Sequence, residues 1–221
     1  MDRRRMLTTL LAGGTAAPLA MNTLISDALA RDGRTGLRGF RGDVTVNGKP
    51  ARFGMKIDSG DTVRTGPDAE AIYVIGRDAF MQRGASHVAF GSGAAADLLR
   101  VITGRLLSVF ARGHRRIATP AATIGIRGTG CYIEAAEEKT YFCLCYGEAV
   151  IMRTGDPSQT ETVRTRHHDK PMWLRDQPGN EMMSAAGVIN HTDTELTLLE
   201  ALVDRTPPFA PTVGWPPDRS Y

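Results

Sequence analysis

The rhythm of short apolar segments constrains this chain more than any other feature. Across residues 40–150, runs of roughly four to six residues rich in Val, Ile and Thr are broken by glycine-bearing turns about every 8–12 residues. Branched side chains suit a pleated, half-buried surface. The rhythm therefore predicts a mainly β fold, a compact sandwich or roll of short strands. Residues 40–46 alternate loosely and lead into Asn47-Gly48, a two-residue hairpin signal. Asp58-Ser59-Gly60-Asp61 reads as a turn, and Ala71-Ile72-Tyr73-Val74-Ile75 as a buried strand. Residues 95–101 suit a helical turn or two, and residues 104–110 return to strand. Residues 129–151 predict a hairpin whose arms, 131–134 and 140–146, meet at a charged turn around Glu137-Glu138. Residues 156–166 are polar and read as a loop. Thr192-Asp193-Thr194-Glu195 is a capping box. Leu196, Leu199, Leu202 and Val203 then mark one face of a short C-terminal helix over about residues 192–204. Pro207-Pro208 stops it, and the tail to Tyr221 is proline-rich.

The N-terminus carries a different kind of information. Arg3-Arg4, one further residue and two apolar ones fit the twin-arginine export pattern, and no charge falls between Met6 and Ser26. Gly13, Gly14 and Pro18 weaken that stretch as a membrane span, which needs ~20 strongly apolar residues. Ala28-Leu29-Ala30 offers a small-x-small cleavage site. The expected organisation is a signal peptide over residues 1–30, a β domain over 31–155, and a C-terminal extension over 156–221. With the signal removed, no membrane span remains, and the expected location is periplasmic or secreted. Removal takes three arginines and two aspartates from a chain of net charge +3. The balanced remainder gives no clustered basic face, so nucleic acid is not the expected partner.

Two stretches resemble a known family. Gly54-Met55-Lys56-Ile57-Asp58-Ser59-Gly60-Asp61-Thr62-Val63-Arg64-Thr65-Gly66 is similar to the opening motif of FecR-type domains. Gly104-Arg105-Leu106-Leu107 and residues 117–130, Ile-Ala-Thr-Pro-Ala-Ala-Thr-Ile-Gly-Ile-Arg-Gly-Thr-Gly, resemble that family's most distinctive run. The resemblance covers residues ~40–150. It implies an all-β extracytoplasmic domain that binds or senses, its partner a small ligand or a cell-envelope protein. Some family members hold a cytoplasmic sigma factor. Here only a five-residue basic start precedes the apolar stretch, so the resemblance implies the domain type and the compartment rather than that circuit. The glycines also have a plain architectural reading, as turn and bend positions.

Catalytic signatures such as Gly-x-Ser-x-Gly, His-Glu-x-x-His or a phosphate loop are absent. The leading expectation is thus a non-enzymatic binding domain. The alternative is a metal-binding or redox protein, with a transition metal as cofactor. Its candidate ligands are Cys143, Cys145, His167 and His168, and His191 is a further one. On a strand, residues i and i+2 face one side, about 6.5–7 Å apart. That separation is long for a disulfide but suits two thiolates on one metal. Cys131 lies on the other hairpin arm. A two-residue turn would put it on the opposite face, and an even pairing sum would put it beside one of the pair, where a disulfide could close the hairpin. Asp169 could hold a histidine ring in the required tautomer.

Overall fold

The computed structural model describes residues 27–29, 35–177 and 181–210; the expected signal peptide, apart from residues 27–29, and the tail beyond residue 210 lie outside the described residues. Within them run fifteen strands. They are β1 (Gly36–Arg41), β2 (Val44–Val46), β3 (Lys49–Pro50), β4 (Thr62–Thr65), β5 (Glu70–Ile75), β6 (Asp78–Gln82), β7 (Ser86–Phe90) and β8 (Leu98–Val109). Then follow β9 (His114–Ala118), β10 (Ala122–Arg127), β11 (Gly130–Ala135), β12 (Lys139–Arg153), β13 (Thr160–Thr165), β14 (Met172–Arg175) and β15 (Met183–Ala185). One helix, α1 (Asp193–Leu202), closes the described chain. The fold is mainly β, as the rhythm predicts.

The strands form two sheets that share two members. The first runs β1-β5-β6-β8-β11-β12-β14-β15. The second runs β3-β2-β4-β7-β8-β9-β10-β12-β13, with β8 and β9 parallel and every other pair antiparallel. Both shared strands cross from one sheet to the other at a glycine. Gly104 has φ +92° and Gly147 φ +104°. A Cβ on Gly104 would lie 2.4 Å from the Ser86 Cα, and one on Gly147 would lie 2.6 Å from the Thr129 Cγ2. Only glycine allows both the left-handed backbone and the close approach. Strands that switch sheets at such bends make the corners of a sandwich.

Alternation along β11 and β12 divides the apolar residues between two cores. Cys131, Ile133, Phe142 and Leu144 face inward and join residues from both sheets, such as Val63, Val88, Ile117 and Ile151. Tyr132, Tyr141, Cys143 and Cys145 face outward from the first sheet and meet Leu196, Leu198, Leu199 and Leu202 of α1. The helix thus roofs the outer face of the first sheet. Its start follows the predicted capping box, with the Thr192 hydroxyl accepting from the Glu195 N–H and the Glu195 carboxylate from the Thr192 N–H. Among the described residues, no helix is long and apolar enough to cross a membrane.

Two readings of local structure differ from expectation. Residues 95–101 form a 3-10 turn at Gly93–Ala95 and then the start of β8, not α-helix. Leu99 and Val101 are buried while Arg100 between them is exposed, a period of two. The polar stretch 156–166 contains β13, an edge strand in which only Val163 and Thr165 are buried, so it carries no apolar alternation. Strand β13 pairs with β12 and β14 extends the first sheet, so residues on both sides of position 155 share both sheets.

A buried thiol–imidazole cluster as candidate metal centre

The site is built on the first half of β12. Period-two alternation directs the side chains of Cys143 and Cys145 to the helix-roofed face, while Phe142 and Leu144 point into the sandwich. Glu137-Glu138 makes a two-residue turn, closed by the Ala136 N–H donating to the Lys139 carbonyl. Pairing of Tyr132 with Cys143 follows, and Cys131 therefore lies on the opposite face. All three cysteines are free and buried.

Two further segments bring imidazoles to these thiols. After β13 the chain turns through His168, whose φ is +51°. The His168 N–H donates to the Cys145 carbonyl at 3.0 Å, so the loop continues the hydrogen bonding of the strand it lies against. His168 Nδ1 sits 3.3 Å from Cys143 Sγ. His191 comes from the run just before α1, its ring stacked on Tyr132 at 4.6 Å. His191 Nε2 lies 3.1 Å from His168 Nδ1. The donor atoms of Cys143, Cys145, His168 and His191 all lie within 4.8 Å of one another, and all four residues are buried.

Hydrogen bonds fix which ring nitrogens face the thiols. His191 Nδ1 is 2.6 Å from the Ile189 carbonyl oxygen. A carbonyl only accepts, so Nδ1 carries the proton and Nε2 presents its lone pair. His168 Nε2 is 3.0 Å from Asp193 Oδ1 and donates to that carboxylate, which turns Nδ1 toward Cys143 Sγ and His191 Nε2. Two lone pairs and a thiol sulfur thus converge on one point. They repel unless a proton or a metal cation lies among them. Imidazoles oriented by a carbonyl and a carboxylate have the outer-shell pattern of metal-bound histidines.

The ionisation equilibria agree. A hydrogen bond from the Cys145 thiol, opposed by burial and reinforced by His168 and His191, pushes the Cys143 thiol down to about 3. Burial and the neighbouring Cys143 charge push Cys145 well up. One thiolate is therefore accommodated without a metal, on Cys143, and the second needs further positive charge. Burial alone would lower His168, but hydrogen bonds to Asp193 and Cys143 raise it to about 9. Burial alone would raise Asp193, yet its hydrogen bonds from His168 and His167 hold it low.

Of the predicted ligands, the structure brings Cys143, Cys145 and His168 together, with His191 as the fourth. His167 is placed elsewhere. Its Nε2 lies 2.8 Å from Asp193 Oδ2, and its ring stacks on Phe209 at 4.4 Å. The left-handed turn at His168 lets both rings reach one carboxylate. The orienting acid is Asp193 rather than Asp169, which instead accepts the backbone N–H of Arg166 at 2.7 Å. Asp193 could have been read from its place at the first turn of a capped helix, but nothing local in the sequence links it to His168.

The line Cys143–His168–Asp193 has the connectivity of nucleophile, base and orienting acid. Cys143 is 0% exposed beneath α1, so among the described residues its sulfur is not open to solvent. Four donors around one point suit an enclosed ion instead. With metal–nitrogen bonds of ~2.0–2.1 Å and metal–sulfur bonds of ~2.3 Å, tetrahedral donor separations are roughly 3.3–3.8 Å. The two nitrogen-centred separations, 3.1 and 3.3 Å, are near that range.

The fold and this cluster define a two-sheet β protein with a sealed Cys2His2 constellation. No protein-family model matches the sequence, and no curated protein does. Among solved structures, two crystal structures of a candidate anti-sigma factor from Parabacteroides distasonis, at 1.65 and 2.50 Å resolution, are similar in part, each with a TM-score of 0.47 and 9% sequence identity. Each match covers 56% of this chain and 59% of the other.

Proposed function

We propose that this chain is an exported, FecR-like β domain that holds one transition-metal ion on Cys143, Cys145, His168 and His191, and that it binds or senses rather than catalyses. The observation that carries this reading is the convergence of four buried donor atoms within 4.8 Å. A divalent ion with two thiolates and two neutral imidazoles is electrically neutral. That suits a site out of contact with water, where an uncompensated charge is costly. A monovalent ion would leave one negative charge there. Four protein ligands leave no open coordination position, which is the character of structural and storage sites rather than catalytic ones. Zinc fits the donor set best, and divalent iron is the main competitor. The close approach of all four donors suits a single ion rather than a two-iron cluster.

Export rests on Arg3-Arg4 and Ala28-Leu29-Ala30, and family membership on the motifs at residues 54–66 and 117–130. The twin-arginine route carries folded proteins, which is compatible with a metal loaded before export.

The test is elemental analysis of the full chain, expressed without an affinity tag and purified without chelator. One transition-metal ion per chain is expected, lost in Cys143→Ser and in His191→Ala. A protein that emerges metal-free and takes up neither zinc, iron(II) nor copper(I) on titration defeats the metal assignment. Export is tested separately with Arg3→Lys/Arg4→Lys, which should leave unprocessed precursor in the cytoplasm. Unchanged processing would remove the twin-arginine reading.

A further inference from the structure

A cleft lies where the two sheets turn into one another, beside the loop that carries His168. An open cleft of about 820 Å³ is lined by Arg112, Arg127, Gly128, Gly147, Glu148, Arg164, Thr165, Arg166 and Asp169. Four guanidinium groups against two carboxylates is an unusual lining for a surface that merely meets water. Much of the acidic charge is already engaged. Glu148 is paired with Arg164 at 2.5 Å. Asp169 accepts backbone N–H groups from Arg166 and His167 at 2.7 and 3.4 Å. No ion pair to Arg112, Arg127 or Arg166 occurs among the described residues, so three cationic side chains are left facing one space.

The architecture presents them deliberately. Arg127 ends β10 and is followed by Gly128 at φ +62°, whose missing Cβ would lie 3.4 Å from the Arg112 Cγ. Gly147, at the corner of β12, has no room for a side chain against the Gly128 carbonyl, 3.2 Å from where its Cβ would stand. These two glycines bring the Arg112 and Arg127 loops down onto the corner, where Arg164 and Arg166 arrive from the end of β13. The Ile-Arg-Gly-Thr-Gly run thus does more than bend the chain, because it delivers one of the arginines.

We propose that this cleft binds a small polyanion, with phosphate or carboxylate groups held by Arg112, Arg127 and Arg166. Planar guanidinium forks match such oxyanions in pairs, and hydrogen bonds to charged groups are the stronger ones. The volume is that of a small-molecule site. The inference does not depend on the metal, since none of the four proposed metal ligands lines the cleft.

Calorimetric titration of the full chain at physiological salt tests it, with pyrophosphate in one arm and tricarballylate in the other. Binding of either is expected. Arg127→Gln and Arg166→Gln should each weaken it about tenfold or more, in line with the loss of a charge-assisted hydrogen bond. Arg52→Gln, an exposed arginine outside the cleft, should leave it unchanged. Preference for one probe assigns phosphate or carboxylate chemistry. All three substituted residues lie on the surface, and metal content and thermal midpoint measured alongside show that each variant is folded. No heat of binding with either probe overturns the proposal. So does binding that the cleft substitutions weaken no more than Arg52→Gln does.

Discussion

At the scale of single residues, the cluster distinguishes groups that touch the proposed ion from those that orient them. Cys143, Cys145, His168 and His191 are donors, whereas Asp193 acts through His168. Asp193→Asn keeps a hydrogen-bonding side chain but removes the carboxylate. It should weaken metal binding about 10–100-fold while leaving one ion per chain at saturation. Competition against a chromophoric chelator would measure this, and an unchanged affinity would show that Asp193 orients nothing. The metal-free protein should also betray its charges through pH. Cys143 is depressed in the fold, so its stabilising contribution is lost as pH falls towards about 3. His168 is raised, so its contribution is full below the ordinary histidine range and is lost as pH rises through about 9. Between the ordinary histidine range and about 9 the two contributions oppose each other, and below that range Cys143 acts alone. The metal-free chain should therefore lose stability as pH falls below the histidine range towards about 3, and less steeply in Cys143→Ser. Chemical denaturation across pH checks it, and an acid limb of unchanged slope in the variant would contradict the assignment. Metal competes with the His168 proton, so affinity should fall as pH drops below about 9.

Among the elements, sequence and structure agree where periodicity is strong. The Asn47-Gly48 hairpin forms with both residues at positive φ, and the capping box starts α1 at the expected place. The shared face of Cys143 and Cys145 was likewise legible, because side-chain alternation on a strand is strict. Selection of His168 over His167 was not legible. It depends on one left-handed residue and on a carboxylate 25 positions away in sequence. Strand β13 was hidden because an edge strand with one solvated face need not be apolar. The corner glycines give the sharpest test at this scale. Gly104→Ala meets both a left-handed backbone and the Ser86 Cα, and should cost at least about 2–3 kcal/mol. Gly48→Ala has a φ of +73° but open space around it. It should cost only the backbone strain, about 1–2 kcal/mol. Urea midpoints at unchanged slope would separate the two. Equal losses would mean that the corner at Gly104 is not held by close approach. On the roof, Leu199→Ala removes a fully buried side chain between α1 and the first sheet and should cost about 2–5 kcal/mol.

For the molecule as a whole, the proposed ion sits where three distant segments meet: β12, the loop after β13, and the run leading into α1. No local pattern could reveal that convergence, since it exists only once both sheets are built and the helix is laid across one of them. The ion would then clasp the C-terminal segment to the sandwich, reinforcing the Arg83–Glu195 pair at 2.8 Å and the Tyr146–Glu200 hydrogen bond. A ligand at 100 to 1,000 times its dissociation constant stabilises by about 2.7–4.1 kcal/mol. In a chain of this size that corresponds to about 5–15 °C in thermal midpoint. Chelation should therefore lower the midpoint by that much, but the loss should not be uniform. The inter-sheet core has its own apolar contacts and no metal ligand, whereas the outer core depends on the helix staying down. Hydrogen exchange should show α1 and the 166–171 loop losing protection first on metal removal, while β4 and β7 in the second sheet remain protected. Exposed apolar surface on the first sheet would bind a hydrophobic dye at the same time. Equal deprotection of β4 and β7 with α1 would mean that the ion supports the whole fold as one cooperative unit and that the clasp does not exist.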